Sequence, residues 1–145
     1  MSNVANRTAS PKPRQLGWQS GLWTAQVLLA VFYGFSGVLK TFMPPEALPA
    51  MGLNYATEIP VLLLRFIGIS ELAGAIGILL PALTRIKPSL TPLAALGFVA
   101  IQVLAIGFHI YRGETEVLPM NVIALAIAAF VVWGRTRKLP IAPRV

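Results

Sequence analysis

The chain has 145 residues, a mean hydropathy of +0.72, 56% hydrophobic residues and only 12% charged ones, where a soluble domain carries about a quarter charged; this excludes an ordinary soluble domain and reads as an integral membrane protein. The net charge is +7, but the basic residues flank apolar runs instead of forming a stripe interleaved with exposed aromatics. That argues against nucleic acid as a partner and for topology and anionic lipid headgroups. With no cysteine and one histidine, the chain offers no disulfide, thiolate metal site, iron–sulfur cluster or dithiol relay, and no haem held between two histidines; no metal site is expected.

Residues 1–20 are polar and basic, contain Pro11 and Pro13, and read as a disordered tail. The apolar run that follows is longer than a signal-peptide core and has no A-x-A site after it. It reads as an uncleaved first span over residues 21–42, with Trp18 and Trp23 at the level of an interfacial aromatic belt. Residues 43–60, "MPPEALPAMGLNYATEIP", are too rich in Pro and Gly for one continuous helix and have room for a short interfacial turn near 46–51. Span two covers 60–80, opened by Pro60 and stopped by Pro81. A short basic turn, "ALTRIKPS", leads to span three over 90–111. The polar turn "RGETE" leads to span four over 117–133, near the minimum length to cross. A basic tail over 134–145 closes the chain.

Four spans with short connections define an all-α fold, an integral-membrane four-helix antiparallel bundle occupying residues 21–133. Orientation follows from Lys and Arg. Arg7, Lys12, Arg14, Arg85, Lys87, Arg135, Arg137, Lys138 and Arg144 fall on one side. Only Lys40 and Arg112 border the other, together with Glu46, Glu58, Glu114 and Glu116. Both termini are therefore expected to be cytoplasmic.

Topology gives each intramembrane polar residue a depth. Span two enters from the outer face, so Arg65 lies roughly 7 Å and Glu71 roughly 16 Å below that end. Six residues turn a helix through about 600°, which leaves the two about 120° apart and argues against a direct bridge. Gln102 in span three and Tyr33 in span one come to a depth of about 13 Å, so Tyr33, Glu71 and Gln102 can share a layer near the midplane. Lys40, Arg65, His109 and Asn121 form a second layer nearer the outer face, with Ser36 between the two. The inner halves of the spans hold only Thr24, Gln26, Thr91 and small residues, so the pattern describes a polar pocket opening outward. Each residue has a plainer reading. Arg65, Lys40 and His109 lie within reach of headgroups; Gln102 and Asn121 can bond neighbouring helices; Tyr33 can fill the core. A carboxyl at the midplane reaches neither surface, so Glu71 is either protonated or paired, and serves either function or helix association. Ser70, Gly74, Gly77 and Pro81 line one face of span two, and Gly34 and Gly37 mark span one, as surfaces that another helix can approach closely.

The ordered set "FSGVLK" with Gly37 and Lys40, "GISELAGAIGILLP" with Glu71, "LTRIK" with Thr84 and Arg85, and "GFHIYRGE" with His109 resembles the DoxX-like family of small four-helix bacterial membrane proteins. The resemblance implies the bacterial inner membrane as location. It also implies an association with quinone-linked oxidation, as in small subunits of thiosulfate:quinone oxidoreductases, or with quinone and oxidative-stress resistance. By resemblance Lys40, Glu71 and His109 are the positions carried over.

Three functions compete. The first is a redox-linked membrane protein binding a quinone or similar apolar carrier, with Glu71 and His109 as candidate catalytic proton donors, since imidazole exchanges protons near neutral pH. Lys40 and Arg65 would stabilise developing negative charge, and Tyr33, Gln102 and Asn121 would complete the cofactor-binding set. Electrons would come from a partner redox protein or from the substrate. The second is a non-catalytic membrane or assembly subunit that packs its glycine faces on another membrane protein or a second copy of itself. The third is a proton or small-solute pathway with Glu71 as relay.

Overall fold

The computed structural model describes residues 12–144. Four helices, α1 (Pro13–Phe42), α2 (Val61–Thr84), α3 (Leu90–Arg112) and α4 (Leu118–Trp133), run in chain order, each long and apolar enough to cross a membrane once the turns flanking α4 are counted. Each helix packs on its sequence neighbours and α4 closes the ring against α1. Both chain ends and the α2–α3 turn meet at one end of the bundle: Trp18 in α1 stacks edge-on to Trp133 at 5.6 Å, and the Arg144 amide donates to the Arg85 carbonyl at 2.9 Å. We call this the terminal end.

Two boundaries differ from expectation. Helix α1 starts at Pro13, about two turns before the expected span, so residues 13–20 of the expected disordered tail are helical. Proline at the first helical position has its φ preset and no N–H to satisfy, and Trp18 gains Phe130 at 6.3 Å as well as Trp133; packing outweighs the polar composition. The first eleven positions of that expected tail lie outside the described residues. Helix α2 runs through Pro81 and stops after Thr84. Pro81 cannot donate backward, but its carbonyl accepts the Arg85 amide at 2.9 Å. One carbonyl of the same turn, that of Ile78, takes a bond from Gln26 Nε2 at 2.9 Å.

The close approach expected at Gly37, Gly74 and Gly77 is made inside the bundle, by helices of the same chain. A Cβ at Gly37 would meet the Gly68 carbonyl oxygen at 2.8 Å, and one at Gly68 would meet Thr41 Oγ1 at 2.6 Å, Lys40 Cβ at 2.8 Å and the Thr41 amide nitrogen at 2.9 Å. These two glycines set the close approach of α1 and α2. Gly74 gives its space to the Phe98 ring, at 2.5 Å from a would-be Cβ, and Gly77 faces Ala94 of α3. Phe98 in turn lies flat on Tyr33, centroids 3.8 Å apart and planes 7° apart, so an aromatic pair bridges α1 and α3 through the centre of the core.

The α1–α2 connection, residues 43–60, contains three 3₁₀ turns, Pro45–Ala47, Pro49–Met51 and Asn54–Thr57, where one turn was expected. Leu48 and Ala56 are fully buried against Leu39 and Leu64, with Tyr55 and Ile59 alongside. Leucine in the loop therefore anchors it over the end of the bundle opposite the termini.

Candidate functional site

The centre of the polar cluster is an ion pair. Lys40 Nζ donates to Glu71 Oε1 at 2.7 Å and to Ser36 Oγ at 2.9 Å. Lys40 is 5% and Glu71 3% exposed, and both lie within hydrophobic helices. Ser36 sits one turn below Lys40 on α1, so the ammonium folds back along its own helix; the close α1–α2 contact at Gly37 and Gly68 brings Glu71 within reach. The second carboxylate oxygen, Glu71 Oε2, is buried with no partner among the described residues.

Arg65 turns inward, not toward headgroups. Its Nη1 donates to the Lys40 and Met43 carbonyls, both at 2.7 Å. The last carbonyls of a helix have no partner within the helix; Arg65 supplies one and so fixes the end of α1 from which Lys40 projects. It does not bridge to Glu71, as the helical geometry predicts.

Tyr33 and Gln102 come together as the depth estimate places them: Gln102 Nε2 donates to the Tyr33 hydroxyl at 2.7 Å. The third member of that layer, Glu71, makes no hydrogen bond to either. Gln102 Oε1 is buried and unpartnered, as are Thr41 Oγ1 and Asn121 Nδ2. Asn121 has no hydrogen bond to the ion pair.

His109 belongs to a separate network at the loop end. Its Nδ1 lies 2.7 Å from Glu114 Oε2; Glu114 Oε1 accepts from Arg112 Nε at 2.9 Å, and the Arg112 fork grips the Glu58 carboxylate, with Nη2 to Oε1 at 3.0 Å. The Arg112 hydrogen bond holds the Glu58 carboxyl below its ordinary range, and the hydrogen bond from His109, with Arg112 adding to it, does the same for Glu114. Tyr55 lies between the two networks. Its ring is edge-on to His109 at 5.9 Å, while burial raises its phenol above the ordinary value and the nearby Lys40 ammonium opposes that rise. Tyr55 thus stays a neutral hydrogen-bond donor beside the pair. Sequence reasoning left it in a connecting loop; its only signal was an aromatic with a polar tip in an otherwise small-residue turn.

The arrangement is closed. The loop anchored by Leu48 covers this end, which replaces the expected outward-opening pocket with an enclosed polar centre. The described cavities lie elsewhere: one of about 480 Å³ at the terminal end and one of about 340 Å³ on the α1–α4 face near Thr24, Leu28 and Ile127. Chemically, this part of the bundle holds a buried charged pair, the phenol of Tyr55 and four buried polar side-chain atoms without partners among the described residues. Such groups can bind a polar function of an apolar molecule and exchange a proton with it.

No curated protein and no solved structure matches this chain. The sequence profile of the DoxX-like family matches residues 24–131, a stretch that takes in Lys40, Arg65, Glu71, Gln102, His109 and Asn121. With four membrane-spanning helices in place and most of its length matched, the chain belongs to the DoxX-like family.

Proposed function

We propose that this membrane protein serves quinone-linked redox chemistry in the bacterial inner membrane, with the Lys40–Glu71 centre as its proton-handling site. The observation that carries the reading is the orphaned Glu71 Oε2 beside a buried ammonium. A charged pair inside a membrane bundle is costly to keep, and a site that keeps one with unfilled valences is a functional site by default. A carrier with two carbonyl oxygens calls for hydrogen-bond donors, and donors without partners are present in this half of the bundle. Lys40 has a third N–H beyond those to Glu71 and Ser36, and Thr41 Oγ1 and Asn121 Nδ2 are orphaned donors. A bound quinone would supply the two-electron acceptor chemistry. The chain's own residues supply charge and protons: Lys40 stabilises negative charge, Glu71 takes up or gives up a proton at Oε2, and Tyr55 donates from the loop. Arg65 positions Lys40 through the end of α1. Glu114 orients the His109 imidazole through Nδ1 at the loop end. Electrons come from a partner redox protein or from the reduced substrate.

The test is gentle purification from the native membrane followed by mass spectrometry of co-purifying quinone. Wild type is expected to retain it, and Glu71→Gln, which keeps shape and removes the ionisable oxygen, to retain about tenfold less. A wild-type protein that neither carries nor binds quinone overturns the reading.

A further inference from the structure

Arg135 is a deeply buried cation with no acidic partner among the described residues. It lies in a π-helical turn, Gly134–Lys138, that extends α4 and is 3% exposed. Its Nε donates to Gln26 Oε1 at 2.6 Å, its Nη1 to Gln19 Oε1 at 3.0 Å and, more loosely, to the Leu139 carbonyl at 3.4 Å. The Trp23 ring lies 5.6 Å from the guanidinium. Gln26 is itself locked by its bond to the Ile78 carbonyl, which aims its oxygen at the cation. Arg135 Nη2 is buried and unpartnered among the described residues. No carboxylate side chain is available to it: the five acidic residues are Glu46, Glu58, Glu71, Glu114 and Glu116, in the core or around the opposite end. Amide oxygens and an aromatic face offset part of the cost of burying a cation, and no acidic side chain among the described residues neutralises it.

Arg135 also lines the cavity of about 480 Å³ at the terminal end. The remaining wall is mostly apolar, including Leu16, Trp23, Ala82 and Ile141, with Gln15, Gln19 and Arg85 as its other polar side chains. Arg85 holds the chain's last residues across this cavity, its Nε donating to the Ala142 carbonyl at 3.0 Å and its Nη2 to that of Pro143 at 3.3 Å. A cation with a spare donor in an apolar groove, at the ends of membrane-spanning helices, matches one ligand chemistry: an anion carried on an apolar body. We propose that the groove is a binding site for an anionic phospholipid. Arg135 takes the phosphate in a two-pronged contact through Nη1 and Nη2, the long Leu139 contact giving way, and the glycerol–acyl part lies along Leu16, Trp23 and Ile141. Free phosphate would leave that apolar wall unused. Lys12, Arg14, Lys87, Arg137 and Lys138 at the same end concentrate anionic lipid around the groove. The site uses no residue of the Lys40–Glu71 centre and its cation lies beyond residues 24–131, so it stands independently of the proposed redox role.

The experiment is native mass spectrometry of delipidated protein titrated with phosphatidylglycerol, phosphatidylcholine or inorganic phosphate. Wild type is expected to prefer phosphatidylglycerol. Arg135→Gln weakens its binding about tenfold or more, while Arg137→Gln, exposed at the same end, costs far less. Gln15→Trp, which fills the groove from an exposed lining position, also lowers retention and serves if Arg135→Gln does not fold. Equal retention of the two lipids by wild type, equal losses from the Arg135 and Arg137 variants, or protection by inorganic phosphate matching that of phosphatidylglycerol overturns the proposal.

Discussion

At the scale of single residues, the pairing of Lys40 with Glu71 shows what a depth estimate can and cannot see. The 1.5 Å rise places Cα atoms, and for Tyr33 and Gln102, whose side chains project sideways, it brings the right partners to one level. The rise puts Lys40 in a shallower layer than Glu71 because its Cα is there. A lysine stem carries its ammonium about 6 Å from the backbone, and here it runs inward past Ser36 to Glu71. Apolar surroundings make an inward ion pair preferable to two separately unsatisfied groups. The pair therefore has an uneven mutational signature. Lys40→Met, which strands the carboxylate, should cost about 3 kcal/mol of stability, whereas the double variant Lys40→Met with Glu71→Leu should recover most of that loss. Unfolding in mild detergent, read as a double-mutant cycle, checks this; additive losses would show that the two groups do not act as a pair.

At the scale of elements, the four spans were legible because twenty-residue apolar runs have no alternative in a membrane. Their ends were not legible, because polarity was read as the end of helix. Arg135 is the instructive case. Ala124, Ala128 and Val131 are the buried face of α4, and the next step of that four–three–four spacing is Arg135. The periodicity continues past Trp133 while the hydropathy does not, so the sequence pattern places Arg135 in a basic tail. The glycines were legible as sites of close approach, but one sequence cannot say whether the approaching helix belongs to the same chain. The geometry separates them sharply. Gly37→Ala would drive a Cβ against the Gly68 backbone, and overpacking of this kind should cost about 1–3 kcal/mol. Gly97→Ala, in an α3 position with nothing within 4 Å, should gain about 0.5–1 kcal/mol from helix propensity. Thermal melts of the two variants against wild type decide this; a stabilised Gly37→Ala would remove the argument that this contact sets the α1–α2 distance.

At the scale of the whole molecule, the two ends are built on different principles. The terminal end is basic and free of carboxylate side chains, and a tail lies across it. The other end is roofed by residues 43–60 and clasped by alternating charges, Glu58–Arg112–Glu114–His109. The clasp has a defined pH dependence. Because Glu58 and Glu114 titrate below their ordinary range in the fold, their contribution is complete above the ordinary carboxylate pKa of about 4.3 and is lost as pH falls through the lower folded values. Hydrogen exchange across residues 43–60, corrected for the intrinsic rate, should therefore rise relative to the bundle as the pH is taken from about 6 to about 3. In Glu58→Gln much of that rise should be present already at the higher pH. A loop whose protection is insensitive to both changes would mean that Leu48 and its apolar neighbours hold it alone.

The aromatic residues follow the same division, and this gives the molecule a built-in optical asymmetry. All three tryptophans, Trp18, Trp23 and Trp133, stand at the terminal end, two of them in one stack and the third beside Arg135. The end roofed by residues 43–60 contains tyrosine and no tryptophan. Indole emission from the unmodified protein is thus a one-ended reporter. A molecule that enters the groove beside Trp23 changes the emission directly, and one that reaches Lys40 and Glu71 has no indole beside it, so the groove can be followed without attaching a dye.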